Sequence, residues 1–337
     1  MKRIGYLLEE VAEIGNLTDA FAKAARGKRR RAEVRTFEDE LDGHLAKLVE
    51  ELESGSYRPG TFRRFVVRDP KVRVIHAAPF RDRVVHHGIM NVAALHFERG
   101  AIDQSYACRV GKGNQAALGE AMRGSRKRSH WLKLDVRKYF DSIDHAILKT
   151  LFRRRFKDEA FLTLLDRIVG GYETAPGKGL PIGSLTSQYF ANFYLDGFDH
   201  WVREVLGLRG YVRFMDDMVF WSDDPDGLVD AERRIREWMR SERQLELKPS
   251  VSGRSRDGLP FLGYRVMPGR LLLGRRARKR FRRRFGEAET AWRCGQIDED
   301  GLQRRTMALL GYVGQAECLG WRQRLFADRE EGALSGV

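Results

Sequence analysis

Apolar and polar positions along this chain follow two periods, and each switch between them marks a new element. Residues 1–55 carry apolar side chains at helical spacing, most clearly Leu41, Leu45, Leu48 and Leu52. Ser54-Gly55-Ser56 ends that stretch. Residues 61–77 alternate with period two on both sides of Asp69-Pro70 and predict a hairpin. A helical apolar run from Val84 to Phe97 follows, then a short strand from Trp131 to Asp135. Ile143 to Phe156 predicts a helix with Ile147, Leu148, Leu151 and Phe152 on one side. Ser184 to Phe198 predicts one helix whose aromatic and aliphatic stripe is core. In residues 211–222, apolar runs flank Asp216-Asp217 and predict a hairpin with both acids at its tip. After the polar turn Asp223–Gly227 come an amphipathic helix, a strand at Leu245-Glu246-Leu247 and a hairpin over 258–273 turning at Pro268-Gly269. Asp298 to Phe326 fits two further short helices. Hairpins set between runs of helix give an α+β fold.

The acids at the hairpin tip carry the first chemical signal. Apolar strands are usually joined by Asn-Gly or Asp-Gly, and two adjacent carboxylates repel. Unit charges about 4 Å apart cost roughly 4 kcal/mol at an effective dielectric near 20. The pair is either a solvated acidic turn or a site for a hard divalent cation such as Mg²⁺. Asp135, ending the strand at 131–135, adds a third acid. Three carboxylates on neighbouring strands suit two metal ions, which activate a 3′-hydroxyl and stabilise leaving pyrophosphate. That chemistry is nucleotidyl transfer.

Charge narrows the partner. The 337 residues hold 62 Lys and Arg against 47 Asp and Glu, a formal net charge of +15, which points to a polyanion and first to nucleic acid. The competing reading, a basic membrane-surface protein, lacks a long amphipathic helix with a suitable apolar face. At 42% hydrophobic residues the chain can bury a large core across two or three subdomains. Cys108, Cys294 and Cys318 are odd in number and far apart, which suits a reducing compartment and neither disulfides nor zinc. Acids interrupt the apolar positions of Met1–Glu13, unlike a signal peptide, and no run approaches a membrane span. A cytoplasmic protein is expected. The eight histidines show no metal-ligand spacing, and His86-His87 reads as helix packing.

Basic segments divide by context. Gly27-Lys28-Arg29-Arg30-Arg31 is a phosphate contact or a solvated turn. Lys71, Arg73 and Arg81, on and just beyond the first hairpin, suit a triphosphate clamp, although arginines are more often solubility groups. The Gly-rich loop 104–114 lacks the Gly-Lys-Ser/Thr of a P-loop, and is a backbone contact or an ordinary helix start. Arg275 to Phe285 holds eight basic residues in eleven, with Phe281 and Phe285 one helical turn apart. Such a helix repels itself unless phosphates lie alongside, so nucleic-acid contact is preferred over a solvated charge run.

Asp135, the turn Leu180-Pro181-Ile182-Gly183, Phe214-Met215-Asp216-Asp217 and Phe261-Leu262-Gly263-Tyr264, in this order, closely resemble the reverse transcriptases. The likeness is strong over residues 55–270. Gly183-Ser184-Leu185-Thr186-Ser187-Gln188 further resembles the Gly-x-x-x-Ser-Gln pattern of diversity-generating retroelement enzymes, where group II intron and retroviral relatives carry Gln-Gly. A retron-type or phage-defence enzyme is the alternative, and a catalytically silent RNA-binding protein on the same fold a more distant one.

The resemblance implies a right-hand polymerase: a helical extension over residues 1–55, fingers and palm over 56–274, and a basic thumb over 275–337. By motif, Asp135, Asp216 and Asp217 are the catalytic acids and, with the Val136 carbonyl, the ligands of two Mg²⁺ ions, for which Mn²⁺ can substitute. Lys71, Arg73, Arg81, Phe140, Ile182 and Gln188 surround the incoming nucleotide, Phe140 as the gate against a 2′-hydroxyl. Phe261, Leu262, Gly263 and Tyr264 form the primer grip, and Arg278 and Arg282 follow the template–primer backbone. Ile182 stands where faithful relatives have Gln, which implies errors opposite template adenine. Implied partners are a template RNA, the primer and cDNA, dNTPs and a small basic oligomeric accessory protein, with no membrane. One departure concerns the Lys that relatives carry a few residues after the Leu-x-Leu strand. Pro249, Ser250 and Val251 occupy that neighbourhood, so Lys248 is left out of the catalytic set.

Overall fold

A computed structural model of the chain describes residues 4–68 and 72–325. Four helices open it: α1 (Leu7–Ala12), α2 (Ile14–Ala25), α3 (Ala32–Asp39) and α4 (Leu41–Glu53). The hairpin β1 (Arg63–Val67) and β2 (Arg73–Ala77) leads into α5 (Phe80–Glu98) and α6 (Asn114–Lys127). Then come β3 (His130–Asp135), α7 (Tyr139–Ser142), α8 (His145–Arg155), α9 (Glu159–Gly170), α10 (Leu185–Tyr194) and α11 (Asp196–Glu204). The hairpin β4 (Gly210–Phe214) and β5 (Asp217–Ser222) precedes α12 (Pro225–Arg243) and β6 (Val251–Arg254). A meander of β7 (Leu259–Phe261), β8 (Tyr264–Met267) and β9 (Arg270–Leu273) runs into α13 (Arg275–Arg293) and α14 (Glu299–Val313). The α+β reading agrees with this order.

Local chemistry sets several boundaries. Asp144, Asp158, Asp224 and Asp298 cap α8, α9, α12 and α14, each accepting a first-turn backbone N–H. Pro225 occupies the first turn of α12, where its missing N–H costs nothing. Asp158 also accepts the N–H groups of Leu7 and Leu8 at 2.7 and 3.0 Å, tying α1 to α9.

The central sheet is antiparallel in the order β4-β5-β3-β6 and buried on both faces. Leu132, Leu134, Met218 and Phe220 face one core, shared with the N-terminal helices and with α8–α12. Trp131, Val212, Val219 and Trp221 face a second core built from α6, the β7–β9 meander and α13. Because strand side chains alternate, Lys133 and Asp135 lie on the second face, and so does Asp217, the register partner of Asp135.

Two sequence expectations are corrected. The single helix over Ser184–Phe198 is broken at Leu195 into α10 and α11. The Tyr194 carbonyl, which a continuous helix would bond within itself, accepts Arg243 Nε–H at 2.7 Å. The strand expected at Leu245–Leu247 is reduced to one bridge, between Leu247 and Val136. Pro249 cannot donate to a ladder, and regular pairing with β3 resumes only at β6.

Candidate active site

The hairpin tip that carries the acids is held from beneath. Met215 and Asp216 form the two-residue turn between β4 and β5, and Met215 takes φ 58, a left-handed conformation costly for a side chain with a Cβ. Its carbonyl accepts Arg213 Nη1–H at 3.1 Å. Arg213 is 1% exposed and paired with Asp199, itself 0% exposed, through Nε–Oδ1 at 2.7 Å and Nη2–Oδ2 at 2.5 Å. Tyr211 donates to the same carboxylate at 2.7 Å, and Asn192 Oδ1 accepts Arg213 Nη1–H at 3.1 Å. A buried ion pair thus fixes the strained turn that presents Asp216.

Asp135 and Asp217 sit opposite each other in register, so their Cα atoms are about 5 Å apart and their side chains share a face. Each meets an ammonium group: Lys248 Nζ lies 2.5 Å from Asp135 Oδ1, and Lys133 Nζ 2.9 Å from Asp217 Oδ2. Burial, then the Asp135 charge, raises the pKa of Asp216 against the opposing pull of Lys248 and Arg73. Burial pushes Asp217 up to about 6 despite Lys133, with Asp135 and Asp216 adding to the rise. The three acids therefore feel one another.

These residues fit a divalent cation. Asp217 Oδ1 is buried with no hydrogen-bond partner, and burial together with the neighbouring acids raises the pKa of both Asp216 and Asp217. As the side chains stand, no ready cluster of three His, Cys, Asp or Glu ligands exists among the described residues; the lysines hold the oxygens instead.

A pH-dependent result follows. A raised Asp217 pKa means that its ionised form costs folding stability above pH ~6, a cost that fades as pH falls towards the ordinary carboxylate value. A cation bound by carboxylates offsets that cost only where they are ionised. Mg²⁺ is expected to raise the melting midpoint by a few degrees at pH 7.5 and much less at pH 5. Equal shifts at both pH values, or none at either, would remove these acids as ligands.

Other expected site residues are placed unevenly. Arg73 starts β2 and its charge acts on Asp216. Lys71 lies outside the described residues. Arg81 is committed elsewhere, ion-paired with Glu51 and stacked 5.1 Å over the Tyr57 ring. The Phe140 carbonyl accepts Leu180 N–H at 2.8 Å, joining α7 to the Leu-Pro-Ile-Gly turn. The Ile182 carbonyl accepts His76 N–H at 3.0 Å, which fixes that turn against β2. Gly183 has φ 112, and a Cβ there would come 2.7 Å from Ile75, so no other residue fits. Gln188 accepts a Cys108 Sγ–H contact at 3.4 Å and lines a cavity of about 900 Å³ shared with Arg63, Arg64, Lys28 and Arg31. Val136 is buried, and its carbonyl takes no part in the bridge to Leu247, whose bonds run from Arg137 N–H to Glu246 and from Lys248 N–H to Asp135.

Phe261 and Tyr264 are buried in the second core, and only the turn Leu262-Gly263 between them is presented outward. Both turn residues have positive φ, 48 and 89, as a tight two-residue hairpin requires. Arg278 and Arg282 flank the Trp321 ring at 5.7 and 5.9 Å. On α13 the stripe Ala277, Phe281, Phe285, Ala288 and Ala291 is buried, so its basic residues are confined to the other faces.

Three residues at this site escape sequence reasoning as site members. Lys248, set aside for its position, contacts Asp135. Lys133 bridges Asp217 to the β7 segment, donating to the Pro260 carbonyl at 3.0 Å with its Nζ 5.8 Å from the Phe261 ring. Arg213 looks like a surface residue in an alternating strand. For Lys133 a signal existed, since it shares the parity of Asp135 on β3.

The family described as "Reverse transcriptase (RNA-dependent DNA polymerase)" matches residues 68–266. Protein YkfC of Escherichia coli (strain K12) is 28% identical over 173 residues, 48% of this chain and 45% of that protein. Group II intron-encoded protein LtrA of Lactococcus lactis subsp. cremoris is 24% identical over 181 residues, 50% of this chain and 30% of that one. The chain spans less than half the length of these curated relatives. A solved structure of apo telomerase from Candida tropicalis aligns with TM-score 0.50 and 10% identity, over 75% of this chain and 57% of that one. That likeness shows the fold alone, a right-hand polymerase.

Proposed function

The chain belongs to the reverse transcriptase family, and on that premise we propose that it is an error-prone RNA-directed DNA polymerase of a diversity-generating retroelement. The observation that carries polymerase activity is the in-register pair Asp135–Asp217 with Asp216 at the adjoining turn. Two Mg²⁺ ions, replaceable by Mn²⁺, would be held by these acids and the Val136 carbonyl, and would acidify a primer 3′-hydroxyl and neutralise leaving pyrophosphate. The chain's own part is to hold and orient. The Arg213–Asp199 pair fixes the turn under Asp216, Arg73 brings positive charge for a triphosphate, and Phe140 stands as the gate against ribose. Lys133 and Lys248 keep the carboxylates neutralised until cations arrive. The turn Leu262-Gly263 offers backbone to a primer, and the exposed arginines of α13 follow its phosphates. In this reading residues 1–55 are an N-terminal extension, 56–274 fingers and palm, and 275–337 the thumb.

The retroelement assignment rests on Gly183-Ser184-Leu185-Thr186-Ser187-Gln188 and on Ile182 before it. Ile182 is half-buried and held by β2, the strand that begins with Arg73. A branched apolar side chain makes no hydrogen bond to the nascent pair, so mispairing is tolerated where Gln would check it. The proposed substrates are dNTPs and a template RNA, with a primer and a small basic oligomeric accessory protein as partners. A cytoplasmic site of action belongs to the same proposal; among the described residues no helix is long and apolar enough to cross a membrane. Ile182→Gln is expected to lower misincorporation opposite template adenine about tenfold, with correct incorporation nearly unchanged. An unaltered error spectrum in sequenced cDNA would remove Ile182 from this role.

A further inference from the structure

At the opposite end of β3 from Asp135, five residues and about 17 Å away along an extended strand, a second basic site is built into the surface. A cavity of about 560 Å³ opens between the end of α6, the start of β3 and the end of β6. Arg126, Lys127, Arg128, Arg254 and Arg256 line it. One acid, Asp223, faces them and is fully committed. It accepts Arg128 Nη1–H at 2.7 Å, Ser129 N–H at 2.9 Å and the Ser129 hydroxyl at 3.0 Å. These bonds hold its carboxyl down to about 2. Arg126, Lys127, Arg254 and Arg256 are exposed and have no ion pair among the described residues.

The backbone that carries these cations is rigid. His130 and Arg254 are register partners. The Arg254 carbonyl accepts Trp131 Nε1–H at 3.2 Å, and the buried Ser255 hydroxyl donates to the Arg128 carbonyl at 2.6 Å. Four cations carried on this rigid backbone, without an ion-pair partner among the described residues, repel one another unless an anion joins them. Of the lining residues Pro268 alone is apolar. A protein partner would need a buried aromatic or aliphatic anchor, whereas nucleic-acid interfaces are polar and positively charged.

We propose that this cavity binds the phosphate backbone of a helical RNA segment lying outside the primer–template hybrid. It rests on the polymerase reading only in taking RNA as the polymer. Its role would be to anchor folded template RNA while another stretch is copied.

The full-length chain is tested with two probes, a blunt RNA hairpin of ~20 base pairs and a short poly(rA)–oligo(dT) hybrid. R126A/K127A/R254A/R256A is expected to bind the hairpin at least about tenfold more weakly and to flatten the dependence of log K on log salt by about three. Extension of the short hybrid should stay within twofold of wild type. Unchanged hairpin affinity and salt slope overturn the proposal. So does poly-glutamate binding as tightly as the hairpin with the same loss in the variant, which marks a site for acidic protein. If the alanine variant does not fold, R126K/R254K/R256K decides alone: it keeps the salt slope and loses affinity about threefold as bidentate contacts go, and full affinity refutes the site. Wild-type protein that binds the hairpin but never extends the hybrid would count against the polymerase reading and not against this one.

Discussion

Asp216→Ala is expected to abolish template-dependent dNTP incorporation, by 10³-fold or more on the scale of several kcal/mol that bound cations supply to a transition state. Stability should move the other way. Burial and the Asp135 charge both work against a carboxylate at Asp216, so its removal relieves repulsion and leaves the melting midpoint unchanged or slightly higher. Loss of activity without loss of stability distinguishes a metal ligand from a structural acid. Incorporation within tenfold of wild type in a folded Asp216→Ala protein would end the case for this carboxylate. The same assay, run with an RNA template, tests the polymerase assignment directly.

Arg213→Met carries the largest expected effect on folding. It strands Asp199, which is wholly buried, with a charge that only Tyr211 then meets. Removing one partner of a buried pair costs about 3–5 kcal/mol, or roughly 4–7 °C in melting midpoint for a chain of this size. Arg213→Met with Asp199→Leu should recover most of that, since an apolar pair of similar volume leaves no charge uncompensated. Activity should not recover with it. The Met215 carbonyl loses its Arg213 bond in both variants, so the strained turn loosens and incorporation falls about tenfold at temperatures where the protein is folded. A single variant melting within ~2 °C of wild type would show that the pair does not hold the hairpin.

Much of the scaffold was legible in the chain because strands and helices announce themselves by period. The hairpin at 211–222, the strand ending in Asp135 and the turn at Pro268-Gly269 are local patterns, and local patterns survive folding; the hairpin expected over 258–273 gains a third strand through a further turn at Leu262-Gly263. The break at Leu195 was not legible. Its cause is Arg243, 49 residues away, taking the Tyr194 carbonyl. Leu245-Glu246-Leu247 has the composition of a strand and forms only one bridge, because Pro249 decides where a ladder can run. Phe261 and Tyr264 read as primer contacts by motif, yet their side chains are core, and only the turn between them faces outward. Arg81 stood in line with Arg73 as a clamp residue and is held by Glu51 on α4.

Alternation puts Lys133 and Asp135 on the same face of one strand, and the order of motifs announced three acids and their chemistry. Which face meets which core, and which cation meets which acid, depends on pairings across long separations. Lys248 reaches Asp135 over 113 positions, and Arg213 finds Asp199 across a helix and a loop. Periodicity is a property of neighbours in the chain, so it specified the parts of this protein and their acids. Charge pairing and desolvation are properties of neighbours in space, and they alone settled how those acids are neutralised, held and aimed.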